Sequence, residues 1–253
     1  MPLNLFHRPE DLTRITIGGA AKKEFMDADS VTHVRKLVDI YKLLEETQVP
    51  NVDALYDYSS SGRPYPYITV TPVGMDAIPL SGFEAFNAVV CILQALKVYI
   101  LSYSPPVISD SHVQVMHSDP CPVYYRDIRQ PNILKKYDSN DWFLIDWSDA
   151  STTPTQAARH LSKEEHSPRV REDGHGAEVD IWGVGHYLKL LVYHSSPVKA
   201  DEVKTMAKRW MGDSTIMAEA ALEEIYVSKH SRLTTFRLMI PTEVERPLLY
   251  ILI

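Results

Sequence analysis

The spacing of hydrophobic residues changes several times along this chain, and each change marks an element. Val31, Val34, Leu37, Val38, Ile40, Tyr41 and Leu44 recur at three- and four-residue steps, which places them on one helical face. Asp29 and Ser30 precede the run as helix-start residues, and Val49-Pro50 ends it. A helix is therefore predicted from 29–30 to about Glu46. Earlier, Ile15-Thr16-Ile17 predicts a short strand. Two β-favouring runs follow the helix at 54–58 and 67–70, joined by the turn-rich 59–64. Thr71-Pro72-Val73-Gly74 predicts a turn. A helix over 83–97 comes next, with Phe83, Phe86, Val90 and Leu93 on one face, and 181–193, 201–210 and 217–225 read as further helices.

The pattern between Asp127 and Asp146 carries chemistry. Residues 133–137 are apolar at their ends, Asp138-Ser139-Asn140-Asp141 is a turn, and 142–145 is a buried-type strand. A hairpin returns the chain to where it left, so Asp146 comes back beside Asn132. Asn132 lies five residues after Asp127, close enough for one tight loop to present both side chains. Asp146 also ends the apolar run Trp142-Phe143-Leu144-Ile145, where a charge is costly without a partner or a cation. One carboxylate for an acceptor hydroxyl, with an amide and a second carboxylate for Mg²⁺, is the set that phosphoryl transfer from ATP requires.

The segment Tyr125-Arg126-Asp127-Ile128-Arg129-Gln130-Pro131-Asn132 resembles the His-Arg-Asp-x4-Asn loop of the eukaryotic protein kinase family, with Tyr125 in place of His. Asp146-Trp147-Ser148 resembles that family's Asp-Phe-Gly, and Asp180-Ile181-Trp182-Gly183-Val184-Gly185 resembles its Asp-x-Trp-x-x-Gly helix opening. The resemblance implies an α+β, two-lobed protein kinase-like fold. A truncated β-rich N-lobe and hinge would occupy 1–74, a mainly helical C-lobe 75–227, and a tail without a readable element 228–253. It implies ATP and Mg²⁺ as cofactors, and Ser/Thr hydroxyls as acceptors. Asp127 would be the catalytic base, Arg129 a phosphate-contacting group beside it, and Asn132 and Asp146 the metal ligands. Asp180 would anchor the catalytic-loop backbone. Backbone groups near Val73 would meet adenine. Ala20-Ala21-Lys22-Lys23 resembles the Ala-x-Lys strand, which makes Lys22 or Lys23 the phosphate anchor and Asp39 the nearest helix acid. Arg126 implies control by phosphorylation, with Ser148, Ser151, Thr152, Thr153 and Thr155 as acceptors.

Three departures keep other readings open. There is no Gly-x-Gly-x-x-Gly, few residues precede Lys22, and Ser167-Pro168-Arg169 stands where Ala-Pro-Glu would, with the charge reversed. A pseudokinase binding module without an ATP lid is one alternative, and a small-molecule kinase of the aminoglycoside or choline type is another. Residues 98–114 interrupt the expected run from the helix into the catalytic loop. Pro105-Pro106 requires this insertion to loop out. It begins with Val and ends with Gln, whose codons fit the ends of a retained short intron.

Composition narrows the partners. A net charge of −7 and 45% hydrophobic residues predict an ordinary globular protein with no affinity for nucleic acid. Two cysteines and histidines without ligand spacing argue against structural zinc. No run is long enough to span a membrane, and the start lacks a secretory pattern, so an intracellular, cytoplasmic protein is expected.

Overall fold

Alternating and turn-forming residues build a five-stranded antiparallel sheet in the order β1-β2-β3-β5-β4. Its strands are β1 (Leu3–Asn4), β2 (Thr13–Ile17), β3 (Ala21–Phe25), β4 (Ala54–Ser59) and β5 (Tyr67–Thr71). The computed structural model describes residues 3–4, 13–26, 29–61, 65–79, 81–101, 123–191 and 197–236. The stretch before Lys22 looks short in sequence, yet it holds two strands: Gly18 and Gly19 fold β2 back on β3, so few residues suffice.

Helix α1 (Ser30–Glu46) lies between β3 and β4 in sequence. Val34, Leu37, Val38, Ile40, Tyr41 and Leu44 are all buried, as their spacing predicts. Burying each such aliphatic side chain contributes about 1.5–3 kcal/mol. Asp39 lies on the exposed face of this helix, while Lys22 pairs with Glu24 and Lys23 with Asp146. The helix therefore offers no acid at the position expected of Asp39.

After β5, the chain passes through Pro72 and Val73 into β6 (Met75–Asp76), which pairs with β8 (Ile133–Lys135). Strand β8 forms the predicted hairpin with β9 (Trp142–Leu144), in the register Ile133↔Leu144 and Lys135↔Trp142. Gly74 is required here by space. A Cβ on it would lie 2.7 Å from Leu134 Cβ and 2.7 Å from the Phe143 ring. Strand β7 (Val123–Tyr124) pairs with β10 (Ser151–Thr152), closing a small ribbon around the Asp146 segment.

The helices pack on the other side of this hairpin. Helix α2 (Gly82–Leu101) buries Ala85, Ala88, Val89, Ile92, Leu93 and Leu96. Phe83, expected on the buried face, is 59% exposed because it sits in the first turn, before the helix reaches the core. Helical backbone continues to Leu101, past the expected start of the insertion at Val98; residues 102–114 fall outside the described residues. Helix α3 (Glu178–Leu191) is buried along most of its length and packs against α4 (Pro197–Gly212). Helix α5 (Ala218–Phe236) corrects the reading of a helix over 217–225 followed by a tail without a readable element from 228: no Pro or Gly lies between Tyr226 and Phe236, so nothing stops the helix at Ile225. Residues 237–253 lie outside the described residues. The fold class is α+β, and among the described residues no helix is long and apolar enough to cross a membrane.

Candidate active site at the junction of sheet and helices

Asp180 fixes the loop that carries Asp127. It is buried at the start of α3, where its carboxylate accepts the backbone N–H of Tyr125 at 3.0 Å and of Arg126 at 2.6 Å. Burial pushes the Asp180 carboxyl up to about 7, against the two N–H donors and the Arg126 charge that favour the anion. Gly183, one turn on, lets α3 approach the loop: a Cβ there would sit 2.9 Å from Ile128 Cβ. Arg126 has φ 71°, left-handed backbone that a long side chain tolerates only when the surroundings hold it. Its guanidinium donates to the carbonyls of Asp149 at 2.5 Å and Gln156 at 3.0 Å, so it ties down the segment after Asp146 by backbone contacts. Three of the expected phosphate acceptors are engaged internally: Thr155 is buried and donates to the His175 carbonyl, Ser148 donates to Asp146, and Ser151 donates to the Thr152 carbonyl.

Asp127 is nearly inaccessible, with its side chain 4% exposed. Asn132 Nδ2 donates to Asp127 Oδ2 at 2.7 Å and to the Asp127 carbonyl at 2.9 Å. This ties the two ends of the loop together and leaves the side-chain Oδ1 of Asn132 for another partner. Asp127 Oδ1 faces Arg129 Nε at 2.8 Å, an ion pair, and His166 Nε2 at 2.7 Å. Arg129 also reaches Glu165 at 3.7 Å.

The hairpin delivers Asp146 as the sequence pattern requires, with Ile145 N–H donating to the Asn132 carbonyl at 3.0 Å. Asp146 has φ 61° and ψ 75°, left-handed backbone that Asp visits more readily than most residues. Burial raises its pKa, but Lys23 and Ser148 outweigh that effect and hold the carboxyl well below the usual carboxylate range. Lys23 Nζ lies 2.9 Å from Asp146 Oδ1 and 3.1 Å from Ser148 Oγ. Lys22 has a different place, and the strand period explains it: adjacent residues of β3 point to opposite faces. Lys22 pairs with Glu24 at 3.1 Å and lies 4.1 Å over the Tyr67 ring, so Lys23 is the lysine brought to the site. Val73 sits half-buried in the connection between β5 and β6.

Two groups here escaped the sequence reading. His166 is buried against Asp127, in a loop with no local pattern that marks it. Asp53 is buried between α1 and Trp147. It accepts from the Tyr41 hydroxyl at 2.9 Å and from Trp147 Nε1 at 3.1 Å. The Trp147 ring also meets Tyr125 edge-on at 4.7 Å, and the Tyr125 hydroxyl donates to the Ile145 carbonyl. Downstream, Arg169 pairs with Glu178 at 3.5 Å, and Arg171 donates to the Leu161 carbonyl at 2.7 Å. The segment is thus anchored despite the reversed charge at Arg169.

Among the described residues no group of three or more His, Cys, Asp or Glu side chains is placed to hold a metal ion. Asp146 and the side-chain Oδ1 of Asn132 offer two hard oxygens, too few for a stand-alone cage. That number fits Mg²⁺, which keeps waters and takes further oxygens from a phosphate ligand.

No protein-family model matches the chain. It is similar to Crinkler effector protein 8 of Phytophthora infestans, with 31% identity over 159 residues. The match covers 61% of this chain and 23% of that relative's length.

Proposed function

We propose that this chain is an ATP-dependent, protein kinase-like phosphotransferase acting on Ser/Thr hydroxyls. The sheet with α1 would serve as a small N-lobe and the helices as the C-lobe. One observation carries the reading: Lys23, Asp146, Asn132 and Asp127 meet at one junction, although they come from a strand, a hairpin end and a loop. Few structural needs explain two acids, an amide and a lysine gathered there.

In this reading Lys23 holds a phosphate of ATP near Asp146. Asn132 and Asp146 hold Mg²⁺, which would neutralise phosphate charge when bound. Asp127 orients the acceptor hydroxyl and takes its proton, and Arg129 opposes the charge at that carboxylate. Backbone groups at Val73, in the connection between β5 and β6, would meet adenine. The effector name of the relative extends the proposal to a phosphotransferase module of an effector-like protein.

The enclosure of Asp127 favours a second reading, a pseudokinase binding module, because both of its carboxylate oxygens already have partners. Thermal unfolding with ATP and Mg²⁺ comes first. A ligand bound only by the folded state at a hundred times its Kd adds about 2.7 kcal/mol of stability. Labelled γ-phosphate transfer to a Ser/Thr peptide, and to a small alcohol, comes second. A shift with transfer to peptide supports the kinase. Transfer only to the alcohol supports a small-molecule kinase, and no shift, or a shift without transfer, overturns both enzyme readings and supports the binding module.

A further inference from the structure

His166 is surrounded by oxygens that only accept. Its Nδ1 lies 2.9 Å from the Ser162 carbonyl and its Nε2 lies 2.7 Å from Asp127 Oδ1. A neutral imidazole carries one N–H, so it satisfies one of these contacts and turns a lone pair toward the other oxygen. Only the doubly protonated ring donates to both. The side chain is 4% exposed, so water does not readily stand in for a missing donor.

We propose that His166 is a positioning residue: an imidazolium that bridges the Ser162 carbonyl to Asp127, aims that carboxylate at the acceptor hydroxyl, and sets an alkaline limit on transfer. The part concerning transfer rests on the proposed function, whereas the charge of the ring does not.

The surroundings agree. Burial lowers the His166 pKa, but the contacts with Asp127 and Ser162 outweigh burial, and the value stands above 6.5. Arg129, also on Asp127, works against the ring charge, and Glu165 faces Arg129 at 3.7 Å. On α3, His186 is a further titratable neighbour. Burial and Lys189 lower its pKa, so at neutral pH it adds no competing charge. The sign follows: a raised histidine pKa gives a contact that is complete below 6.5 and lost as pH rises through the folded-state value.

Two measurements on the full chain test this. The first is the ring-nitrogen NMR signal of His166, assigned with H166Q and followed from mildly acid to mildly alkaline pH. The expected signal is an imidazolium that titrates above 6.5 and falls when Asp127 is changed to Asn. A ring already neutral below 6.5, or a titration indifferent to D127N, overturns the proposal. The second is the pH profile of kcat. H166A is expected to lose on the order of 10²-fold in kcat, the scale of a misplaced catalytic group, with the KM for ATP unchanged. H166Q keeps an N–H donor without a titrating charge, so it should regain most of the rate and lose the alkaline fall. A wild-type kcat in H166A, or a wild-type profile in H166Q, overturns it. A charged ring in a chain that transfers no phosphate counts against the proposed function alone, and a neutral ring in an active chain counts against the pair alone.

Discussion

The two sides of the junction are built differently. On the hairpin side, Asp127, Asn132 and Asp146 are held by contacts within one loop and one hairpin: the Asn132 amide on Asp127, and Ile145 N–H on the Asn132 carbonyl. On the sheet side, Lys23 reaches Asp146 from 123 positions away, and only packing of the sheet against the hairpin brings it there. The hairpin side therefore starts from short-range contacts, to which Asp180 on α3 adds its hold on the Tyr125 and Arg126 N–H groups. The sheet side is as good as the packing that supports it, through α1, Tyr41, Asp53 and Trp147.

The sharpest break comes from Asp146→Ala. It removes a proposed cation ligand and the partner of Lys23 together, and a loss on the order of 10²–10³ in transfer rate is expected. Assay of phosphate transfer checks the rate, and an unchanged melting curve checks that the fold survives. Next come two neighbouring lysines. Lys23→Met removes a charged hydrogen bond, a class worth about 1.5–3 kcal/mol. A fall of roughly 10- to 100-fold in transfer should follow. Lys22→Met should change little, because its partners are Glu24 and the Tyr67 ring. Equal losses in both variants would remove the distinction between the faces of β3.

How much of this was legible follows from the same contrast. The hairpin, its turn and the convergence of Asn132 with Asp146 were readable because they depend on a period of two and a few turn residues. Helix α1 was readable because its apolar stripe is unbroken. Choosing Lys23 over Lys22 needed the parity of β3: Phe25 is buried, and Lys23 shares its side of the strand while Lys22 does not. The helix past Tyr226 was missed because a weakly amphipathic stretch without a breaker carries no stripe to read. His166 and Asp53 were invisible for a different reason. Each is a lone polar residue in a loop, and its partners are set by tertiary packing.

Smaller effects test how the hairpin side is supported. Gly183→Ala places a Cβ 2.9 Å from Ile128 Cβ, closer than two side-chain carbons approach without a shift. Overpacking of this kind costs about 1–3 kcal/mol. The melting temperature should fall, and transfer should drop only as far as the loop carrying Asp127 is displaced. A wild-type melting curve would show that α3 yields to the extra methyl without strain.

The smallest effect on rate, and the most direct probe of the sheet side, is Asp53→Asn. Burial pushes the Asp53 carboxyl up to about 7. The Tyr41 and Trp147 hydrogen bonds oppose this, and the Asp146 charge adds to it. The ordinary value is 3.8, so between 3.8 and about 7 the folded state holds a proton that the unfolded chain has lost. Linkage then makes the Asp53 contribution to stability fall as pH rises across that window and stay level above it. An Asn at this place keeps the contacts without the titration: its carbonyl oxygen can accept from Trp147 Nε1, and its amide can donate to the Tyr41 hydroxyl, which accepts as well as donates. D53N should therefore gain stability on wild type as pH climbs through the window, with transfer nearly unchanged. Denaturant midpoints of both proteins at a series of pH values measure this. Parallel curves would mean that Asp53 stays ionised throughout, with its hydrogen-bond donors outweighing burial; α1 would then be tied to Trp147 by a fixed charge rather than by one that titrates.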